Sequence, residues 1–115
     1  MPIDEPSAST SRDPVFYVLF LSLIPGKMLT SAVVDRHATH LADVDREGKL
    51  VLAGPLLTRF GGLIVLRVPS LAEATAIAEA DPMIRGGFQS YELATWMIAN
   101  KQNHYRPTTQ LAGKQ

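Results

Sequence analysis

The pattern of apolar and polar positions changes period several times along the chain, and each change marks an element. From residue 15 to 24 every position except Ser22 is apolar and rich in Val, Phe, Tyr, Leu and Ile, which suits a strand buried on both faces. Pro25-Gly26 ends it. From about residue 28 to 47 a step of about 100° per residue gathers Val33, His37, His40, Leu41 and Val44 on one side and leaves Asp35, Asp43, Asp45 and Arg46 mostly on the other. That is a helix, with Gly48 as its stop. Residues 49–57 are β-rich but contain Ala53-Gly54-Pro55, so this strand must kink or pass close to a neighbour, since proline lacks a ladder donor and glycine permits unusual dihedrals. Arg59-Phe60-Gly61-Gly62 turns the chain into a third strand over residues 63–68, giving a hairpin. Ser70 and Glu73 have capping-box spacing and open a second helix running to about Ala80. Asp81-Pro82 closes it, because the residue before proline is pushed out of the α region. After Arg85-Gly86-Gly87, residues 89–98 alternate Tyr91, Leu93, Thr95 and Met97 with Ser90, Glu92, Ala94 and Trp96, a fourth strand.

The order β-α-β-β-α-β predicts an α+β, ferredoxin-like subunit: a four-stranded antiparallel sheet with both helices on one face. The reading sets the helices side by side and running the same way. Residues 1–13 are polar, small and proline-bearing, a flexible N-terminal arm; residues 14–99 form the domain; residues 100–115 lose periodicity and form a C-terminal tail, either mobile or a lid or swapped arm. Two helices cover one sheet face only. Yet the first strand places Val15, Tyr17, Leu19 and Leu21 on one side and Phe16, Val18 and Phe20 on the other. An open face of this kind exceeds the few hundred Å² of apolar patch that monomers tolerate, so a homodimer through the open sheet face is expected.

Composition narrows the function classes. A chain of 115 residues with 46% hydrophobic content can build one core. Eleven basic residues balance eleven acidic ones, so no global field favours nucleic acid or an anionic membrane. Without cysteine there is no disulfide, thiolate metal site or thiol nucleophile. The longest apolar run is well short of the roughly twenty residues of a membrane-crossing helix, and the first residues lack the basic start of a secretory signal. A cytoplasmic setting is expected.

Chemistry centres on two imidazoles on the inner side of the first helix. His37 and His40 are three positions apart and neighbours on one face. Asp81 lies on nearly the same side of the second helix as the inner residues Ala74 and Ala78. A carboxylate accepting an N–H from His40 would orient the ring and leave its other nitrogen to take a substrate proton. The competing readings are that both histidines are hydrogen-bonded packing residues and that Asp81 only ends a helix. No metal is expected: the zinc-protease pattern needs histidines four apart with a glutamate beside the first, and here Ala38 follows His37. Gly61-Gly62 and Gly86-Gly87 lack phosphate-cradle spacing, so no cofactor is expected, and no nucleophile elbow occurs. Arg36, Arg59 and Arg85 could each fork onto a substrate carboxylate or be solvated charges. Trp96 could floor an aromatic-binding cavity or pack in a core or interface. His104, beside Tyr105 and Arg106, reads as exposed.

Taken together, His40-Leu41, Gly48-Lys49-Leu50, Ala53-Gly54-Pro55-Leu56, the capped second helix, Asp81-Pro82 and a last strand ending near Trp96 resemble the YCII-related family over residues 15–99. The resemblance implies a dimeric α/β-barrel, akin to muconolactone isomerase, and a His-Asp active-site pair that lands on His40 and Asp81. It also implies a reaction class, since one member is a dehydrochlorinase of a chlorinated hydroxyquinone. The arginine common before the family's histidine falls on Arg36, four positions ahead of His40 rather than three, and His37 is an additional imidazole. The expectation is a small cofactor-independent enzyme in which His40 and Asp81 transfer a proton on a small metabolite, by isomerisation or elimination, with His37, Arg36 and Trp96 as substrate contacts. The alternative is a non-catalytic, small-ligand-binding or stress-related dimeric module.

Overall fold

The computed structural model describes residues 13–108. The N-terminal arm, except its last residue, and the end of the C-terminal tail lie outside them. Four strands, β1 (Val15–Leu23), β2 (Leu50–Pro55), β3 (Gly62–Leu66) and β4 (Gln89–Met97), and three helices, α1 (Ser31–Arg46), α2 (Leu71–Ala80) and the single turn α3 (Pro82–Arg85), follow the expected order. The sheet order is β2-β3-β1-β4 with every neighbouring pair antiparallel. This is the α+β, ferredoxin-like arrangement. The Ala53-Gly54-Pro55 stretch stays within β2, and the irregularity lies earlier, where the register shifts between Leu50 and Leu52.

Each of the two long helices starts where a hydroxyl meets an otherwise unpaired backbone donor. Thr30 accepts from the Val33 N–H at 3.2 Å and Ser70 from the Glu73 N–H at 3.1 Å, the N-cap geometry of short polar side chains. The reciprocal half of the capping box is replaced: the Glu73 carboxylate pairs at 2.8 Å with Lys49, which also meets Glu47 at 3.1 Å. Lys49 therefore ties the start of α2 to the end of α1, and these hydrogen bonds raise its pKa. The core lies between helices and sheet, where Leu19 and Leu66 are fully buried with Leu21, Ile64, Val44, Ala74 and Ala78. Two alanines at the contact let α2 approach the sheet closely. Tyr91 of β4 donates to Glu79 of α2 at 2.6 Å, and this bond is the main cause of its raised pKa.

The helices run in opposite directions, which corrects the parallel placement expected above. β1 and β3 are antiparallel, so helices that leave them and return across the same face are antiparallel too. The contacts agree: His37 meets Asp81 and His40 meets Ile77, so advancing along α1 means retreating along α2.

On the other sheet face Phe20, Leu52 and Trp96 are 44%, 68% and 49% exposed, and Trp96 lies opposite Phe16. At the far end of the strands Asp13 is buried and accepts from Asn103 at 2.8 Å and from the Thr108 N–H at 2.7 Å. The first part of the tail is thus tied across the start of β1. No helix among the described residues is long and apolar enough to cross a membrane.

Gly61 shapes the β2–β3 loop. Its φ is +118°, and a Cβ there would run into the Leu21 carbonyl oxygen. Gly61→Ala is expected to cost about 2 kcal/mol from the strained dihedral and the contact, lowering Tm by roughly 10 °C. Thermal denaturation followed by circular dichroism measures this, and an unchanged Tm contradicts the tight approach.

Candidate functional site

Asp81 is held from four directions before any ligand is considered. Pro82 forces its backbone into the extended region, at φ −70° and ψ 126°, which ends α2 and starts α3. Its N–H donates to Ala78 at 3.1 Å, and its carbonyl accepts from Ile84 and Arg85 at 2.9 and 2.8 Å. Its side chain caps α3, Oδ1 accepting from the Met83 N–H at 2.9 Å. The carboxylate is 1% exposed. A buried carboxylate without partners would be costly. The remaining partner is His37, whose Nδ1 lies 2.8 Å from Oδ2 and 3.0 Å from Oδ1.

This geometry defines the imidazole's working edge. An ionised carboxylate only accepts, so Nδ1 carries the proton and donates it, and in the neutral ring Nε2 keeps its lone pair. The His37 side chain is 17% exposed, and the ring lines a cavity of about 460 Å³. Val34 and Leu41 of α1 line it beside His37. Its other walls come from Leu21 and Leu23 toward the end of β1, from residues 53–55 of β2 and 62–64 of β3, from the β2–β3 loop, and from Met83 on α3. A ring whose Nδ1 is held by a buried carboxylate, on a side chain that lines a mostly apolar hollow, has the form of a general base.

The pairing differs from the expected one. Asp81 meets His37, 44 residues away, and not His40. His40 Nε2 instead donates to the Ile77 carbonyl at 3.0 Å, joining α1 to α2. The reason is direction: with the helices antiparallel, the C-terminal end of α2 lies beside the earlier histidine, and the later one falls a turn back along α2. Arg36 is exposed and lies outside the cavity lining. Trp96 is half-exposed on the opposite sheet face and also outside it. Of the loop arginines, Arg59 lines the cavity while exposed, and Arg85 does not line it. His104 is exposed, at a left-handed φ of 55°. Among the described residues no three His, Cys, Asp or Glu side chains gather as a metal site.

One cavity residue escaped the sequence reading. Gln89 opens β4 opposite Leu23 and is 8% exposed. Its Oε1 is the one buried side-chain nitrogen or oxygen among the described residues with no hydrogen-bond partner. Leaving such a group unpaired costs about 1–3 kcal/mol. The available signal was phase: Gln89 shares the inward face of β4 with Tyr91 and Leu93, where a polar residue needs a reason.

Among curated proteins none matches the chain. Among solved structures it is similar to the 5-chloro-2-hydroxyhydroquinone dehydrochlorinase of Burkholderia phenoliruptrix AC1100 in complex with 2,5-dihydroxybenzoquinone. The TM-score is 0.59 and the identity 21%, over 76% of this chain and 98% of that one, a likeness of fold. The profile of the YCII-related domain matches residues 15–97, covering all four strands and both long helices. The chain belongs to the YCII-related domain family.

Proposed function

We propose that the protein is a small enzyme that moves a proton on a compact, largely apolar metabolite, with Nε2 of His37 as the base and Asp81 as the group that holds it. One observation carries this reading: the buried His37–Asp81 pair opens onto the cavity. The ring takes a proton from the bound molecule and becomes an imidazolium that the Asp81 carboxylate stabilises. In an elimination the electrons of the broken bond form a new double bond, and a leaving group such as chloride departs with its own pair. In an isomerisation the same proton returns at another atom. Both need only groups this chain carries, so a cofactor-independent reaction is proposed. The dehydrochlorinase of similar fold, solved with a small dihydroxyquinone, supports elimination as the first reaction to test. His40, bonded to a backbone carbonyl, acts in this reading as a positioning residue for α1.

The assembly proposed is a homodimer packed through the open sheet face, where Phe20, Leu52 and Trp96 are exposed. The hollow beside His37 disfavours histidines that merely pack; a non-catalytic ligand-binding module shares the hollow, and turnover separates it from the enzyme. The test is chloride release from 5-chloro-2-hydroxyhydroquinone. His37→Gln should lower the rate at least about 100-fold while folding is retained, and equal rates in the two proteins would remove His37 from the mechanism.

A further inference from the structure

Gln89 is the cavity's unexplained polar group. A buried amide oxygen without a donor is rare in folded proteins and calls for a cause. Here the amide stands in a wall otherwise built at this end from Leu21, Leu23, Ile64 and Met83, where an apolar side chain would pack without penalty. We propose that Gln89 reads polarity in the ligand: its amide takes a hydroxyl of a compact, mostly apolar molecule whose body lies against Leu21, Ile64 and Met83. A half-turn of the amide exchanges its oxygen for its NH2, so it can meet a donor or an acceptor. A hydroxyl is both, and can meet whichever amide atom the half-turn brings to face it. Arg59, exposed at the same cavity and without an ion pair among the described residues, leaves the mouth open to an additional anionic oxygen. The proposal deepens the function above and rests on the cavity being the ligand site.

The test compares phenol with toluene, nearly the same shape with and without the hydroxyl. Binding is followed by the Met83 methyl resonance in protein labelled at methionine methyls. In the wild type both should shift this resonance. In Gln89→Leu the phenol Kd should rise roughly tenfold, as expected for one lost hydrogen bond, while the toluene Kd stays level or falls. Gln89→Leu should also keep or raise the Tm, by about 4 °C at most, because it removes an unpaired polar atom. Gln89→Met, of similar length, repeats the measurement if leucine disturbs β4. A phenol-to-toluene ratio that is the same in all three proteins overturns the role of Gln89 and leaves the cavity standing. A clear fall in Tm in both variants also overturns it, since the amide would then have a structural partner. If neither compound shifts Met83 in the wild type, the cavity is not a ligand site, and both this proposal and the functional reading fall.

Discussion

Asp81→Asn is expected to reduce turnover by about 10²–10⁴-fold with the fold intact, and the reason is a tautomer. Oδ1 of Asp81 is committed to the Met83 N–H at 2.9 Å. An asparagine at this position keeps its carbonyl oxygen there, so its NH2 takes the place of Oδ2, the atom 2.8 Å from His37 Nδ1. At the nearer contact Nδ1 then accepts from that NH2, in competition with donation to Oδ1 at 3.0 Å. The proton moves to Nε2, and the lone pair proposed as the base is lost. Nitrogen-15 spectra of the imidazole report this directly: the wild type should carry the Nδ1–H form and the variant the Nε2–H form. His40→Gln supplies the contrast, because its ring is hydrogen-bonded to the Ile77 carbonyl and not to Asp81, and its effect should fall mainly on stability. Full activity in Asp81→Asn together with an exchanged tautomer would refute the proposed base.

The second large effect concerns the open sheet face. Phe20→Lys combined with Trp96→Glu is expected to convert a dimer into a monomer, measured by sedimentation velocity. Both aromatic side chains are about half exposed in the subunit, and the strand register places them on the same face. Buried aromatic anchors commonly contribute about 2 kcal/mol each or more at interfaces, so losing two weakens association roughly a thousandfold. Neither residue lines the cavity. A wild-type protein that sediments as a monomer would defeat the proposed assembly while leaving the His37 chemistry untouched.

The elements were legible because each is written in local chemistry. Ser70, the period of α1, Asp81-Pro82 and the alternation after Gly87 are short-range signals, and the structure places elements within a few residues of them. Asp81 could be singled out for the same reason. Its partner could not be read from spacing. His37 and His40 stand about 4.5 Å apart along one helix and face the same neighbour, so nothing local separates them. The direction of α2 does, and it follows from the antiparallel sheet. Placing the helices parallel led to His40.

The chain alone determined the α+β order, the two-faced apolar sheet and the presence of imidazoles and a carboxylate on inward faces, because periodicity and caps act over a few residues. Only the tertiary structure decided that Asp81 joins His37, that His40 meets a carbonyl, that Gln89 is buried without a partner and that Arg36 and Trp96 stand apart. Each of those outcomes depends on where elements tens of residues apart come to lie against one another, and on burial, which converts a polar side chain from a solvated group into one that must find a partner.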